Sequence, residues 1–239
     1  MVPFNGQRIA VYGFDATTLG DGRILISGGS TVPNGEKNIE LIPDQTWIFD
    51  SQKQQTTAGP RLKFPRINHR AIVLNDGRVL ITGGIWKTRW VVEVEAFSPK
   101  FNDMQEIGRL VVPRINHELV QLSNGEILIV GGETSDNLSD AGDELTSTVE
   151  LFREPCKCSR IVGQLHFARI GHKLFATKNG ALVVGGFSDE LQWPEELPTE
   201  RYTIGTQVGT KLKRLPTVGE VCHRARQLYT GTFSWLFVR

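Results

Sequence analysis

An all-β protein assembled from repeated four-stranded antiparallel units is what this sequence predicts, and three observations predict it. An apolar run closed by Gly-Gly occurs four times, as "GRILISGG" (22–29), "GRVLITGG" (77–84), "GEILIVGG" (125–132) and "GALVVGG" (180–186). The pairs Gly28-Gly29, Gly83-Gly84, Gly131-Gly132 and Gly185-Gly186 stand 55, 48 and 54 residues apart. A histidine precedes three of these pairs by 13 or 14 residues, at His69, His117 and His172, and His223 continues the series. Helical apolar periodicity competes with the strand pattern nowhere.

Within a unit the first strand is "HRAIVLN" or "HELVQLS". A turn follows at Asn75-Asp76-Gly77 or Asn124-Gly125, the dipeptide type that most strongly marks a hairpin. The second strand is the Ile, Leu and Val run into Gly-Gly, and a continuous apolar run reads as burial on both faces. A loop of variable length leads to a third strand with alternating apolar residues at 46–51, 92–99, 147–154 and 201–208. The fourth strand is weaker and ends near Gly59 to Leu62, Gly108 to Leu110 and Gly163 to Leu165.

Four-stranded units recurring about every 50 residues suit a β-propeller, in which each sheet covers its neighbour. The Gly-Gly closure, the third-strand aromatics Phe49, Phe97 and Phe152, and the Arg-x-x-His ahead of the first strand resemble kelch repeats. The form "LNDGRVLITGG" is similar to the bacterial and galactose-oxidase-like kelch propellers. The resemblance implies a kelch-type β-propeller over a single domain, 1–239, with units at about 15–62, 69–110, 117–165 and 172–215. A partial unit, 223–239, lacks Gly-Gly, and the fourth-strand Trp usual in kelch repeats is absent. Gly6 precedes Asp15 by nine residues, as Gly108 precedes His117, so residues 1–13 are expected to close a fifth blade with 223–239. The alternative is a fragment of a six- or seven-bladed propeller.

The net charge of +1, with 22% charged residues, gives no global attraction to nucleic acid or membrane. Neither an 18-residue apolar stretch nor a signal peptide is seen, and a cytoplasmic location is expected. Three cysteines, Cys156, Cys158 and Cys222, do not suggest a disulfide framework.

Strand alternation places the segment before strand one and the loop after strand two on one face. Strand one being innermost, Arg66, Arg114 and Arg169, with Asn68 and Asn116, are expected to ring a channel mouth beside the loop "IWKTRW" (85–90). The loops 133–144 and 187–200 are acidic, the first with Glu133, Asp136, Asp140, Asp143 and Glu144, the second with Asp189, Glu190, Glu195, Glu196 and Glu200. A residue that every blade repeats answers a need every blade shares, so His69, His117, His172 and His223 are read with the Gly-Gly pairs as structural. The guanidinium groups suit carboxylate capture, and Trp86, Arg89 and Trp90 are residue types enriched at binding hot spots.

No metal motif, nucleophile elbow or phosphate loop occurs, and no cofactor is expected. The function expected is a noncatalytic interaction module that binds another protein or peptide, one with acidic residues, through this loop-rich face. The alternative is a carbohydrate-binding or sugar-processing propeller of epimerase or oxidase type.

Overall fold

The computed structural model describes residues 2–4, 7–9, 11–31, 44–135, 144–190 and 197–212. The expectations placed on His223, on the unit 223–239 and on Asp136, Asp140, Asp143, Glu195 and Glu196 lie outside the described residues. Among those described, no helix is long and apolar enough to cross a membrane.

Strands β1 (Val2–Phe4) and β2 (Gln7–Ile9) form a small hairpin. The first sheet is β3 (Val11–Thr18), β4 (Ile24–Thr31), β5 (Trp47–Asp50) and β6 (Gln55–Ala58). The second begins with β7 (Arg70–Val73) and β8 (Val79–Thr82). It carries an inserted hairpin, β9 (Ile85–Trp86) and β10 (Arg89–Trp90), and ends with β11 (Glu93–Ser98) and β12 (Asp103–Arg109). The third repeats this plan with β13 (Glu118–Gln121), β14 (Ile127–Val130), an inserted β15 (Glu133–Thr134) and β16 (Glu144–Leu145), β17 (Thr148–Arg153) and β18 (Cys158–Gln164). The fourth is β19 (Lys173–Thr177), β20 (Gly180–Val184), β21 (Glu200–Thr203) and β22 (Thr210–Lys211). Each four-stranded sheet is an antiparallel meander.

The hairpin turns form where Gly-rich dipeptides allow them. Gly22, Gly77 and Gly125 take φ of 86°, 84° and 86°, a region that costs glycine nothing. Asp21, Asp76 and Asn124 each accept the backbone N–H two residues on, which fixes the turn.

Three apolar clusters fill the three joints between consecutive sheets. Leu25 and Ile48 of the first sheet meet Val79, Ile81, Phe97 and Met104 of the second. Leu80, Val94 and Ile107 of the second meet Ile127, Ile129 and Phe152 of the third. Leu128, Val130 and Leu151 of the third meet Ala181, Val183 and Tyr202 of the fourth. Val79 and Ile81 therefore face one neighbour and Leu80 the other, which is why these three consecutive positions of β8 are all apolar. The third-strand aromatics insert backwards. A Cβ on Gly108 would lie 2.6 Å from the Phe152 ring, and one on Gly163 would lie 2.7 Å from the Tyr202 hydroxyl. The fourth-strand glycines thus make room for the next sheet's aromatic.

Three expectations change. The described part of 1–13 is its own hairpin against β6, the outer strand of the first sheet, and Val11 already begins β3. The register puts Asp15 opposite Ser27, as Arg70 opposes Thr82, Glu118 opposes Val130 and Lys173 opposes Val184. Phe14, one residue earlier than Asp15, therefore holds the histidine position in the first sheet. Finally, Cys156 and Cys158 are joined by a disulfide in the turn between β17 and β18, although the cysteine count did not suggest one.

Candidate functional site

The arginines of the Arg-x-x-His elements lie in the interior. Arg66, Arg114 and Arg169 are fully buried. Arg66 donates to Glu95 at 2.6 Å, to the Gly83 carbonyl at 2.8 Å and to the Glu93 carbonyl at 3.0 Å. Arg114 reaches Glu150 at 3.0 Å and the Gly131 carbonyl at 2.9 Å, and Arg169 reaches Glu200 and the Gly185 carbonyl. The carboxylates are held in turn by backbone N–H groups, Lys63 on Glu95, Val111 on Glu150 and His166 on Glu200. Each pair is a clamp joining the segment before strand one, the end of strand two and the start of strand three. Burial lowers all three guanidinium pKa values, with the paired carboxylates opposing that shift. The carboxylates these arginines capture belong to their own chain. Glu200, read from sequence as part of an acidic loop, is one of the three.

Sequence reasoning missed the glutamates, although a signal was present. Each stands two residues before a third-strand aromatic, as Glu95 to Phe97, Glu150 to Phe152 and Glu200 to Tyr202. The first sheet has Val11 in the arginine's place and Trp47 in the glutamate's, so both partners are missing together.

Asn68 and Asn116 also have structural work. Both adopt left-handed backbone, at φ 54° and 53°, as do their counterparts Gly13 and Gly171, at 67° and 66°. Asn is the side chain most tolerant of that region after glycine. Asn68 N–H donates to the Gly13 carbonyl at 2.8 Å, and Asn116 N–H to the Asn68 carbonyl at 3.0 Å. These bonds stitch sheet to sheet.

The histidines occupy the same joints. The His69 ring lies 2.8 Å from Ser27 Oγ of the preceding sheet, and His117 lies 2.7 Å from Thr82 Oγ1. For His172 the corresponding residue is Val130, which offers no side-chain acceptor. Burial, then the neighbouring arginines, pushes His69 and His172 down to about 3 and His117 well below its ordinary value. They are neutral fittings. Among the described residues no group of three or more His, Cys, Asp or Glu is arranged to hold a metal ion.

The first strand of each four-stranded sheet carries a charge beside the histidine position, alternating in sign: Asp15, Arg70, Glu118 and Lys173. Glu118 pairs with Lys173 at 2.8 Å and with Arg70 at 3.6 Å, while Asp15 accepts the Ala71 N–H at 3.1 Å. Opposite charges thus alternate along the neighbouring first strands of successive sheets.

The exposed chemistry lies on the inserted hairpin β9–β10. Trp86 opposes Arg89 across the two strands and Trp90 opposes Ile85. Trp90 is buried, Trp86 half-buried and Arg89 exposed. Lys87 sits over the Trp86 ring at 5.4 Å, and Arg89 over the Phe64 ring at 5.6 Å. Arg89 and Arg109 both bond Oε1 of Glu93, whose side chain is 1% exposed while theirs are 52% and 63% exposed. Burial resists ionisation of Glu93, but the Arg109 hydrogen bond and the two guanidinium charges outweigh it, and its pKa falls. Two exposed cations thus share one close carboxylate, with Lys87 and a half-buried tryptophan beside them. Of the binding residues expected from sequence, Trp86, Arg89 and Trp90 come together here, Trp90 as the packed inner member. Arg109 was not foreseen, because it comes from the end of β12, about 20 residues away along the chain.

Compared with known proteins, the chain matches no family model, and no curated protein matches it.

Proposed function

We propose that this protein is a kelch-type propeller that binds another protein through the β9–β10 hairpin, taking an acidic segment of its partner. The carrying observation is the cluster of Trp86, Lys87, Arg89 and Arg109, where exposed cations exceed nearby carboxylates on a hairpin whose counterpart in the third sheet, β15–β16, carries no cation in its described strands. Exposed cations steer an anionic partner and set its register. A half-buried tryptophan adds apolar area that can be covered at little entropic cost. The four stacked meanders, the three filled joints and the repeated clamps support the propeller reading. Five blades, the fifth including residues 223–239, is the arrangement proposed, and a crystal structure with another count would refute it.

The binding test is selection from a random peptide library on the immobilised protein. Recovered peptides should be rich in Asp and Glu next to an apolar residue, and binding should weaken as salt rises. Trp86→Ala should reduce affinity by about tenfold or more, the scale of an interface hot spot. Charge reversal at Arg89 and Arg109 together should abolish it. Selected peptides that bind these variants as well as the parent protein would refute the assignment, and specific capture of sugars on a glycan array would replace it with the carbohydrate reading.

A further inference from the structure

We infer that the Cys156–Cys158 disulfide is an exchange site for a low-molecular-weight peptide thiol, which docks in the cleft between the turns of the second and third sheets. The bridge closes a loop with one residue, Lys157, between its ends, in the β17–β18 turn. The stabilisation a disulfide gives by restricting the unfolded chain is smallest for the shortest loops. That hairpin is already held by six paired positions, from Thr148↔Gln164 to Arg153↔Cys158. The bridge is therefore a poor staple, and its fitness for another role follows from access. Both cysteines are exposed, and Lys157 between them is exposed as well. A neighbouring cation favours the thiolate that exchange requires.

The cleft supplies the docking volume. It encloses about 770 Å³ and is lined by Asp76, Arg78, Asn124, Arg153 and Glu154, with Cys156 on its wall. In the cleft Arg78 spans Asp76 and Glu154, and Arg153 pairs with Glu126; a ligand that carries both amino and carboxylate groups, as a peptide thiol does, can exchange with such pairs. The partner's thiolate attacks Cys156 Sγ, the sulfur that lines the cleft. The Sγ–Sγ bond breaks, the electron pair leaves on Cys158 Sγ, and a mixed disulfide forms on Cys156. A second thiolate attacks the partner's sulfur in that mixed disulfide. This frees Cys156 as a thiolate and releases the partner as its symmetrical disulfide. Two thiols are oxidised and one disulfide is reduced, and the reverse reaction uses the symmetrical disulfide as oxidant.

Glutathione is a suitable probe. Alkylation of the native protein, mapped by peptide so that Cys222 is scored separately, should find Cys156 and Cys158 blocked as isolated and both modified after glutathione treatment. The reduced protein should keep its unfolding midpoint in urea. With glutathione disulfide, Cys158→Ser should gain a glutathionyl group on Cys156 faster than Cys156→Ser gains one on Cys158. Three results would overturn the inference: both thiols free in the air-oxidised protein, a bridge that yields to glutathione only after unfolding, or equal rates in the two variants.

Discussion

Arg66, Arg114 and Arg169 differ from ordinary surface arginines in that nothing in solvent solvates them. Each charge is tolerated because a carboxylate and several carbonyl oxygens replace water at its five N–H positions. Removing one partner strands the other charge in the interior. Glu95→Gln keeps an acceptor for the Lys63 N–H but leaves Arg66 uncompensated, so it should cost about 3–5 kcal/mol, the range for breaking a buried pair. Urea unfolding measures it. A loss no larger than that of an exposed pair, such as Arg23→Ala beside Asp21, would show that the clamp is not buried as described. The first sheet supports the same logic, since Val11 and Trp47 stand where the clamp would be and no charge is left alone.

At the scale of strands and turns, the glycines of the Gly-Gly pairs serve contact as well as backbone freedom. Gly83 has φ 65°, and a Cβ there would stand 2.3 Å from the Arg114 carbonyl oxygen and 2.6 Å from the His117 ring. Gly77, in the turn before it, has φ 84° and nothing within 4 Å of its would-be Cβ. Alanine at Gly77 should therefore cost only the strain of left-handed backbone, about 1–2 kcal/mol. Alanine at Gly83 should cost more, because it pushes the third sheet away from the second. Equal unfolding midpoints for the two variants would contradict that joint. The strands themselves were legible in the sequence, because burial on both faces writes an uninterrupted apolar run such as "VLI" (79–81) or "ILIV" (127–130). The clamps were only half legible. Their arginines recur in plain view, but the glutamates lie beyond loops whose length varies, so Arg66 to Glu95 and Arg114 to Glu150 differ in spacing. The Arg109 contribution to the exposed cluster was not legible, since strand pairing and not local sequence brings it to Glu93. Inferring exposure from a place before strand one failed for the arginines, because the backbone there turns inward and is covered by the Gly-Gly of its own sheet and the loop beyond it.

Across the whole molecule, the histidines convert the joints between sheets into a pH-dependent element of stability. His69, His117 and His172 belong to three different joints, at Ser27, Thr82 and Val130. Burial and the neighbouring guanidinium charges favour their neutral form in the folded state. Above pH about 6.5 these rings are neutral whether the chain is folded or not, and stability does not depend on them. Below it the unfolded chain takes up protons that the folded chain refuses, so stability falls as pH falls. For His69 and His172 the loss continues to about pH 3, where the folded form also protonates. Each such ring contributes about 1.4 kcal/mol per pH unit inside that window. Asp15 acts in the opposite sense, since burial raises its pKa. One carboxyl group offsets at most a part of three imidazoles, and only near the acid end. Urea midpoints measured from pH 8 to pH 4 should be level at first and then decline steeply. His69→Gln, which keeps a polar group near Ser27, should shallow the decline by about one proton's worth. A midpoint that stays level down to pH 4, or a His69→Gln variant with an unchanged slope, would mean that the imidazoles accept protons in the folded protein and do not lie in closed joints.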